Sequence, residues 1–475
     1  MTTEKNNSFS KLNCTILTGE NLRAECESVN KFNERFYVKD LVEYLKSPND
    51  RMGMLLFGAR RTGKSVSIFQ AIKELNVDYD KVMYLECNST LKTFDVIDYL
   101  IPLYESGKIK YLFIDEATLI SDVIEYSNYL IDRFNRIKVV LSGSSSFVFM
   151  FGKTKLLGRC HKIYPTYISF KEWKYLGMGG IWDYVQNGGV LLKPVDRVEY
   201  LNDFVNNNIQ YSLKKYLDCS FASLDFYDRL ENLIELYPRF VIKVTELFTN
   251  EFTLEKLKIK FKSKISGNRD LNNYLIEELN LDYSVDSITA TDIEFLADLL
   301  VEGDFYIRTQ SITKRLNKTF TRDRYCQVQP CLRYEQFRKS VDLIKDKFPE
   351  MSVDEVKRNL EGFILEDIVR LNIYKFIKIE EYSIYSLRID DEKEVDVVVE
   401  GVDKVFLIEV KRHNKYKSSH CKWLVDNEVE NRFIGKNIKR FVVNLGETKL
   451  SKENGREVNY VNIEDFLENL EIYLK

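Results

Sequence analysis

The stretch GARRTGKS at residues 58–65 decides how the surrounding chain folds. Glycines occupy its first and sixth positions, and Lys64 and Ser65 end it. The apolar run MGMLLF precedes it, and KSVSIFQAIKEL continues it with apolar residues at helical spacing. The pattern GxxxxGK(S/T) between a buried strand and a helix lets backbone N–H groups turn inward toward phosphate oxygens. The stretch therefore predicts a strand, a phosphate-binding loop and a helix rather than a plain glycine turn.

Each residue type in this loop has a chemical reason to be there. The ammonium of Lys64 would reach the β and γ phosphates of a nucleoside triphosphate, and the hydroxyl of Ser65 would ligate Mg²⁺. The start of the following helix adds its dipole. The residues expected to contact ATP are Gly58, Arg60, Arg61, Thr62, Gly63, Lys64, Ser65 and Val66.

A nucleoside triphosphatase also needs an acidic element, and KYLFIDEATLI at 110–120 supplies one. Its apolar strand ends in Asp115, which would hold Mg²⁺ through water, and Glu116, which would orient and deprotonate the attacking water. The next strand, KVVLSGSSS at 138–146, brings Ser144 to the same edge of the sheet. Ser144 would either sense the γ-phosphate or serve as an ordinary loop and helix-capping residue.

The order of these motifs resembles that of AAA+-like ATPases of bacteria and archaea. GARRTGKS, FIDEA and VVLSGSSS are followed by LLGRCHKIYPTYISFKEW at 156–173, as in that group. The resemblance implies ATP and Mg²⁺ as cofactors and a C-terminal domain of the DUF4143 type. It makes Arg159 a candidate arginine sensor or finger, acting within its own chain or on a neighbour after self-association. An ordinary surface arginine is the alternative.

Composition limits the remaining possibilities. The chain has 475 residues, 44% of them hydrophobic, and a formal net charge of −3. It can bury proper cores and has no global attraction for nucleic acid, so any such binding must come from a local patch. The 8 Cys form no CxxC pair, the N-terminus is polar, and no apolar run approaches a membrane span. We therefore expect a cytoplasmic protein with reduced cysteines and no membrane contact.

The expected fold class is α/β, with a parallel P-loop NTPase sheet and a C-terminal α/β domain like a restriction endonuclease. The expected divisions are an N-terminal extension at 1–30, the ATPase core at 31–195, a helical or winged-helix-like region at 196–350 and the nuclease-like domain at 351–475. The middle region is predicted to be a packing module, with a wing strand near residue 306. Residues 251–300 show no helix with the arginines and lysines of a recognition helix.

The C-terminal stretch EVDVVVEGVDKVFLIEVKRHN at 394–414 reads as a hairpin. If Val402 and Asp403 form a two-residue turn, residues whose numbers sum to 805, as 402 and 403 do, face each other. Asp396 then lies opposite Glu409, with Lys411 on the same face. Alternate residues, namely Val395, Val397, Val399, Phe406, Ile408 and Val410, would form one apolar face. A three-residue bulged loop would instead separate the two acids.

Opposed carboxylates repel unless a divalent cation lies between them, so the pair predicts a Mg²⁺ site. The stretch resembles the PD-(D/E)XK nuclease superfamily, with Asp396 as first acid and Glu409-Val410-Lys411 as the E-x-K. In this chain Val395 replaces the usual proline. The resemblance implies a further acid on the helix at 360–374, either Glu366 or, in reserve, Asp367.

Two functions remain open from the sequence. In the first, the nucleotide state of the ATPase controls a Mg²⁺-dependent nuclease acting on DNA or RNA, with phosphates held by basic residues at 411–417 and 437–440. In the second, the ATPase is a switch, and a catalytically silent nuclease fold binds DNA or a protein. A small-molecule kinase is disfavoured because Glu116 beside Asp115 suits activation of water.

Overall fold

The computed structural model describes residues 12, 14–48, 52–88, 90–120, 122–144, 158–191, 301, 304–315, 318–334, 352–377, 380–390 and 393–475. These residues form two compact units. The first contains the described residues up to 168 together with Tyr175–Gly177, and the second contains Ser169–Lys174, 178–191 and the described residues from 301 onward. Most of the predicted helical or winged-helix region lies outside the described residues.

The first unit is built on a six-stranded sheet with the order β1-β3-β4-β5-β2-β6. The strands are β1 (Thr15–Leu17), β2 (Gly53–Phe57), β3 (Val82–Glu86), β4 (Tyr111–Asp115), β5 (Lys138–Gly143) and β6 (Cys160–Ile163). All neighbours are parallel except β1, which pairs antiparallel with β3. β5 lies between β4 and β2, so the carboxyl ends of these three strands meet at one edge of the sheet.

Helices cover both faces of this sheet: α1 (Gly19–Ser28), α2 (Val38–Lys46), α3 (Lys64–Glu74), α4 (Thr93–Glu105) and α5 (Val123–Arg133). Successive residues of β2 point to opposite faces, as strand geometry requires. Leu55 joins a core with residues of α4 and α5. Leu56 joins another with residues of α1, α2 and α3. A sheet buried on both faces explains why MGMLLF is uniformly apolar.

The second unit is built on an eight-stranded mixed sheet with the order β13-β14-β12-β11-β10-β9-β7-β8. The strands are β7 (Tyr306–Arg315), β8 (Lys318–Gln327), β9 (Ser383–Ile389), β10 (Lys393–Glu400), β11 (Lys404–Lys411), β12 (Asn437–Asn444), β13 (Lys449–Glu453) and β14 (Arg456–Asn462). The helices are α6 (Phe170–Tyr175), α7 (Ile181–Asn187), α8 (Val353–Phe376), α9 (Asn427–Asn431), α10 (Ile463–Glu468) and α11 (Leu470–Tyr473).

The strand expected to be a wing has a different place. β7 pairs parallel with β9 and antiparallel with β8, so residues 306–327 belong to the sheet of the second unit. The segment around Phe170 also belongs to this unit, because the Phe170 N–H donates to Asn372 Oδ1 of α8 at 2.7 Å. Sequence proximity alone could not reveal these long-range pairings.

The expected grouping of apolar hairpin residues is wrong at one end. A register shift between Val395 and Val398 breaks the alternation along β10. Val395 therefore shares a core cluster with Val398, Val405 and Leu407. A bulge adds a residue to one strand. Each side chain beyond the bulge then lies on the opposite face of the sheet from the one that simple alternation predicts.

Two further expectations concern cysteine chemistry and membranes. Within the described residues every cysteine is free, as the scattered spacing predicts. No helix in the described ranges combines the length and apolarity that crossing a membrane requires.

Candidate functional site

The loop at 58–65 curls tightly at the carboxyl end of β2. Arg61 and Gly63 adopt left-handed backbone conformations, with φ values of 60° and 86°. Gly58 packs closely against the chain after β6, where a Cβ atom would lie 2.6 Å from the Pro165 oxygen. α3 then begins at Lys64. The predicted strand, loop and helix are confirmed, and the glycines stand where a side chain would be strained or excluded.

Lys64 is buried, with 6% of its surface exposed. Its ammonium donates to the oxygens of Gly58 at 3.0 Å and Ala59 at 2.9 Å. Burial lowers the pKa of Lys64 to about 8, although the charges of Glu116 and Asp115 oppose this effect. The ammonium is thus held inside the loop by carbonyl groups, which a phosphate could replace as partners.

Asp115 ends β4 and accepts four hydrogen bonds although it is only 1% exposed. Ser65 Oγ donates to Oδ2 at 2.5 Å, and Tyr84 OH donates to the same oxygen at 2.7 Å. The other oxygen accepts from Ser142 Oγ and from the Glu116 N–H. The structure therefore brings the predicted Mg²⁺ ligands Ser65 and Asp115 into contact across 50 positions of sequence.

Glu116 follows directly in a left-handed conformation, with φ 49°, which turns the chain sharply after β4. Its Oε2 accepts a hydrogen bond from Ser144 Oγ at 2.9 Å. The predicted base and the predicted γ-phosphate sensor thus lie against each other. Arg159 forms an ion pair with Asp132 at 3.3 Å, and both side chains are about half exposed, at 46% and 57%.

Sequence reasoning missed Tyr84 as a partner of Asp115. The pairing of β3 with β4 aligns Tyr84 with Phe113 and Glu86 with Asp115, so Tyr84 lies two positions away on the neighbouring strand. Tyr84 stands within an apolar run, where a tyrosine reads as core. The signal was its hydroxyl, because a buried Tyr O–H usually finds a hydrogen-bond partner.

The carboxylate site of the second unit comprises Asp396, Glu409 and Lys411. The hairpin has the predicted two-residue turn, because Gly401 N donates to Lys404 O at 2.9 Å. Val397 pairs with Ile408 across the hairpin, so the register is the one predicted from the two-residue turn. Asp396 Oδ2 accepts from the Val410 N–H at 2.8 Å, so its side chain reaches across to β11.

Lys411 joins the two acids. Its ammonium lies 2.5 Å from Glu409 Oε1 and 3.7 Å from Asp396 Oδ2. Glu409 is 7% exposed, and its Oε2 has no hydrogen-bond partner among the described residues. Burial, followed by the charge of Asp396, raises the pKa of Glu409 to about 8. The pKa of Lys411 is also raised, because the attraction of Asp396 and Glu409 outweighs its burial.

Glu366 lies on α8 near this site. Burial and then the negative charge of Asp396 raise its pKa well above the ordinary value, while Arg324 at 3.7 Å opposes them. The reserve candidate Asp367 is held by Arg324 at 3.6 Å and Arg333 at 3.7 Å. In the part of the chain that the structure describes, no three His, Cys, Asp or Glu side chains lie at metal-binding spacing.

Arg370 was missed by the sequence analysis. It is fully buried on α8, and its Nη2 donates to the backbone oxygen of Asp396 at 2.6 Å. Its Nε and Nη1 have no partner within the described residues, and burial lowers its pKa to about 10. Arg370 thus supports β10 at the register shift that places Asp396.

The predicted basic surface is only partly present. Arg440 is buried, where it donates to Leu424 O at 2.8 Å and Glu430 at 3.0 Å, so it is not placed to contact phosphate. Arg412 pairs with Glu361. Lys415 and Lys417 are exposed, and the ring of His413 stacks on that of His420, with 5.4 Å between the ring centroids.

Comparisons with known proteins match two parts of the chain. Residues 50–174 match the model of an AAA domain, and residues 360–466 match that of a domain of unknown function, DUF4143. No match is found among curated proteins. The AAA match covers the phosphate loop, Asp115 and Glu116, and it supports ATP binding and hydrolysis by the first unit.

Solved structures give distant likenesses. The Walker-type ATPase PABY2304 of Pyrococcus abyssi is 14% identical, with 63% of this chain and 94% of that chain covered and a TM-score of 0.33. PCH-2 of C. elegans is 12% identical, with 47% and 63% covered and a TM-score of 0.27. Cdc6p of Pyrobaculum aerophilum is 13% identical, with 68% and 96% covered and a TM-score of 0.25.

Proposed function

We propose that the first unit hydrolyses ATP with Mg²⁺ bound at Ser65 and Asp115. The observation that carries the proposal is the hydrogen bond from Ser65 Oγ to Asp115 Oδ2 at 2.5 Å. A hydroxyl and a carboxylate are hard oxygen ligands, which suit Mg²⁺. The ion, when bound, neutralises charge on the β and γ phosphates. Lys64 supplies a further positive charge from the loop itself.

Glu116 is the group that activates water in this proposal. The residue follows Asp115 immediately in a left-handed backbone conformation, and its carboxylate accepts from Ser144, whereas Asp115 accepts from Ser142 and Ser65. Ser144 holds it by a hydrogen bond at 2.9 Å, which limits its rotamers. A base held in this way can orient the attacking water and accept its proton.

ATP turnover tests this half of the proposal. Lys64→Ala and Glu116→Gln should each lower kcat by about 100-fold or more, because each removes a group that acts on the transferred phosphoryl or its nucleophile. Glu116→Gln should still bind ATP, since its loop is intact. Arg23→Met is the matched control, because Arg23 forms ion pairs with neighbouring Glu20 and Glu27 on the surface of α1. Equal turnover in all four proteins would refute this assignment.

We further propose that the carboxylate site cleaves phosphodiesters of DNA or RNA with Mg²⁺, under control of the nucleotide state. Three features support this proposal: Asp396 and Glu409 converge on Lys411, both acids are 7% exposed, and Glu409 Oε2 is buried without a partner within the described residues. A buried carboxylate oxygen without a donor is costly, and a divalent cation would satisfy it.

The chain's own groups have distinct tasks in this reaction. Asp396 is held in place by the Val410 N–H, and Glu409 offers its unpartnered oxygen. Lys411 would stabilise negative charge developing on the phosphate, or position the attacking water. Mg²⁺ bound between the acids would supply a Lewis acid for the phosphoryl oxygen.

One observation favours a silent domain as the alternative. No third carboxylate or histidine joins the two acids at metal-binding spacing in the described ranges, and Lys411 already neutralises Glu409 Oε1. In that case the ATPase is a switch, and the nuclease-like fold binds DNA or a protein partner without cutting.

Cleavage assays separate the two functions. Plasmid, single-stranded DNA and RNA are incubated with Mg²⁺ or Mn²⁺, with and without ATP, using wild type, Asp396→Ala and Lys64→Ala. The nuclease proposal expects cutting by the wild type that Asp396→Ala abolishes and Lys64→Ala uncouples from ATP. If no substrate is cut with either metal, the nuclease proposal fails and the switch function remains. Binding of the same nucleic acids would then be measured to test the switch.

A further inference from the structure

Arg35 is a buried cation beside the phosphate loop that no motif includes. It precedes α2, is only 4% exposed and stacks its guanidinium near the Tyr37 ring, 5.2 Å from the ring centroid. Its Nη1 donates to the backbone oxygen of Thr62, which lies inside the loop. Its Nη2 lies 3.5 Å from the backbone oxygen of Thr166, in the segment after β6.

We propose that Arg35 is a positioning residue of the ATP site, which aims the Gly63 N–H by holding the Thr62 carbonyl. The inference rests on the proposed ATP hydrolysis by the first unit. Within a trans peptide the C=O and the next N–H point in opposite directions. A carbonyl of Thr62 directed at Arg35 therefore sends the Gly63 N–H to the opposite side of that peptide plane.

Because residue 63 is glycine, the Thr62–Gly63 peptide can rotate easily, and a hydrogen bond is needed to hold it in one orientation. With φ 86°, Gly63 lies in the left-handed region, and glycine can leave that region at little cost. A peptide flip at Thr62–Gly63 would turn one N–H of the loop away from phosphate. A charged donor on the Thr62 oxygen opposes the flip, because hydrogen bonds from a charged group are stronger than neutral ones.

The Nη2 group of Arg35 fixes the position of the phosphate loop relative to the segment after β6. Thr166 follows Pro165, whose oxygen already limits the position of Gly58. Arg35 thus connects the far end of the loop to the segment against which its near end packs. Two carbonyls at different directions suit the planar fork of arginine, whereas the single ammonium of lysine serves one of them well.

Nucleotide titration tests the role of Arg35 directly. The dissociation constants of fluorescent ADP and AMP are measured for wild type, Arg35→Lys, Arg35→Met and the control Arg23→Met. AMP lacks the β-phosphate that the loop cradles, so its affinity should change less than about twofold. We expect ADP to bind about tenfold more weakly to Arg35→Met and about threefold more weakly to Arg35→Lys.

A purely structural role would give a different result. Loss of folded protein lowers the number of sites but leaves the dissociation constant of each site unchanged. An ADP affinity equal to wild type in Arg35→Met overturns the inference, as does an equal loss for ADP and AMP. If Arg35→Met does not fold, unchanged ADP affinity in Arg35→Lys overturns it. Failure of the wild type to bind ADP or ATP would instead refute the proposed ATPase function.

Discussion

Asp115 in the first unit and Glu409 in the second are both buried carboxylates at the end of a strand, but their surroundings differ. Asp115 accepts hydrogen bonds at both oxygens from Ser65, Tyr84, Ser142 and a backbone N–H. Glu409 is paired with Lys411 through one oxygen, and the other has no partner among the described residues. Two buried carboxylates can therefore differ in chemistry.

The difference bears on the two cation sites that we propose. In the first unit hydroxyl groups already stabilise the negative charge of Asp115, so the site is organised before any ion binds. In the second unit burial opposes the charge of Glu409 and raises its pKa to about 8. A bound proton, or the divalent cation that we propose, would relieve the unfavourable burial that the Lys411 ion pair leaves.

The largest effect is expected from Asp115→Ala. Loss of the carboxylate removes a predicted Mg²⁺ ligand and leaves the hydroxyls of Ser65, Tyr84 and Ser142 without their acceptor. ATP turnover should fall by about 100-fold or more, and the free energy of unfolding should fall by about 1–3 kcal/mol. Turnover and circular dichroism melting measure the two effects. The control is Asp98→Ala, which removes an exposed carboxylate of α4 in the same unit. Full turnover in Asp115→Ala would contradict the proposed role of Asp115 in holding Mg²⁺.

The second-largest effect is expected in the pH dependence of the free energy of unfolding of Glu409→Gln. The folded-state pKa of Glu409 is raised to about 8 from an ordinary 4.5. Between these pH values the folded state holds a proton on Glu409 that the unfolded state lacks. The contribution of Glu409 to the free energy of unfolding is therefore fully present below about pH 4.5 and is lost as the pH rises through about 8. Without divalent cations, Glu409→Gln should therefore raise the unfolding free energy by about 1–3 kcal/mol at pH 8 and change it little at pH 5.

Tryptophan fluorescence can follow this experiment in the second unit alone. The chain has 3 Trp, and Trp173, Trp182 and Trp423 all lie in that unit. Adding Mg²⁺ or Mn²⁺ at pH 8 should stabilise the wild type and leave Glu409→Gln unchanged. Equal stabilisation of both proteins would place the cation elsewhere.

A smaller effect is expected from Tyr84→Phe. The change removes one of the two donors on Asp115 Oδ2 and leaves Ser65 in place. We expect a loss of about 1–2 kcal/mol in unfolding free energy and turnover within about threefold of wild type. Urea denaturation and ATP turnover measure the result. A loss of turnover as large as that of Asp115→Ala would mean that the hydrogen bond from Tyr84, rather than the one from Ser65, holds the Asp115 carboxylate in its active position.

The smallest effect is expected from Arg159→Ala. Its ion pair with Asp132 joins two half-exposed side chains, so stability should change by less than about 0.5 kcal/mol. Turnover measured at low and high protein concentration tests the arginine-finger role. A concentration-dependent loss of turnover by about 100-fold would support a finger acting on a neighbouring copy. Unchanged turnover at both concentrations would exclude that role.

Local patterns predicted those parts of both sites that depend on short stretches of chain. The loop before α3 follows from its glycines, and the hairpin register follows from its two-residue turn. The register shift after Val395, the support from Arg370 and the placing of β7 beside β9 could not be predicted, because each depends on residues distant in sequence. The predicted domain divisions and metal ligands remain predictions.

By itself the sequence determined the phosphate loop, the acidic strand end and the two-residue turn of the C-terminal hairpin, because backbone geometry relates neighbouring residues by simple periods. Only the tertiary structure decided which buried oxygens are satisfied. Four donors from different elements meet at Asp115, whereas none within the described residues reaches Glu409 Oε2. Hydrogen-bond partners of buried groups depend on how distant segments pack, and no local pattern specifies that packing.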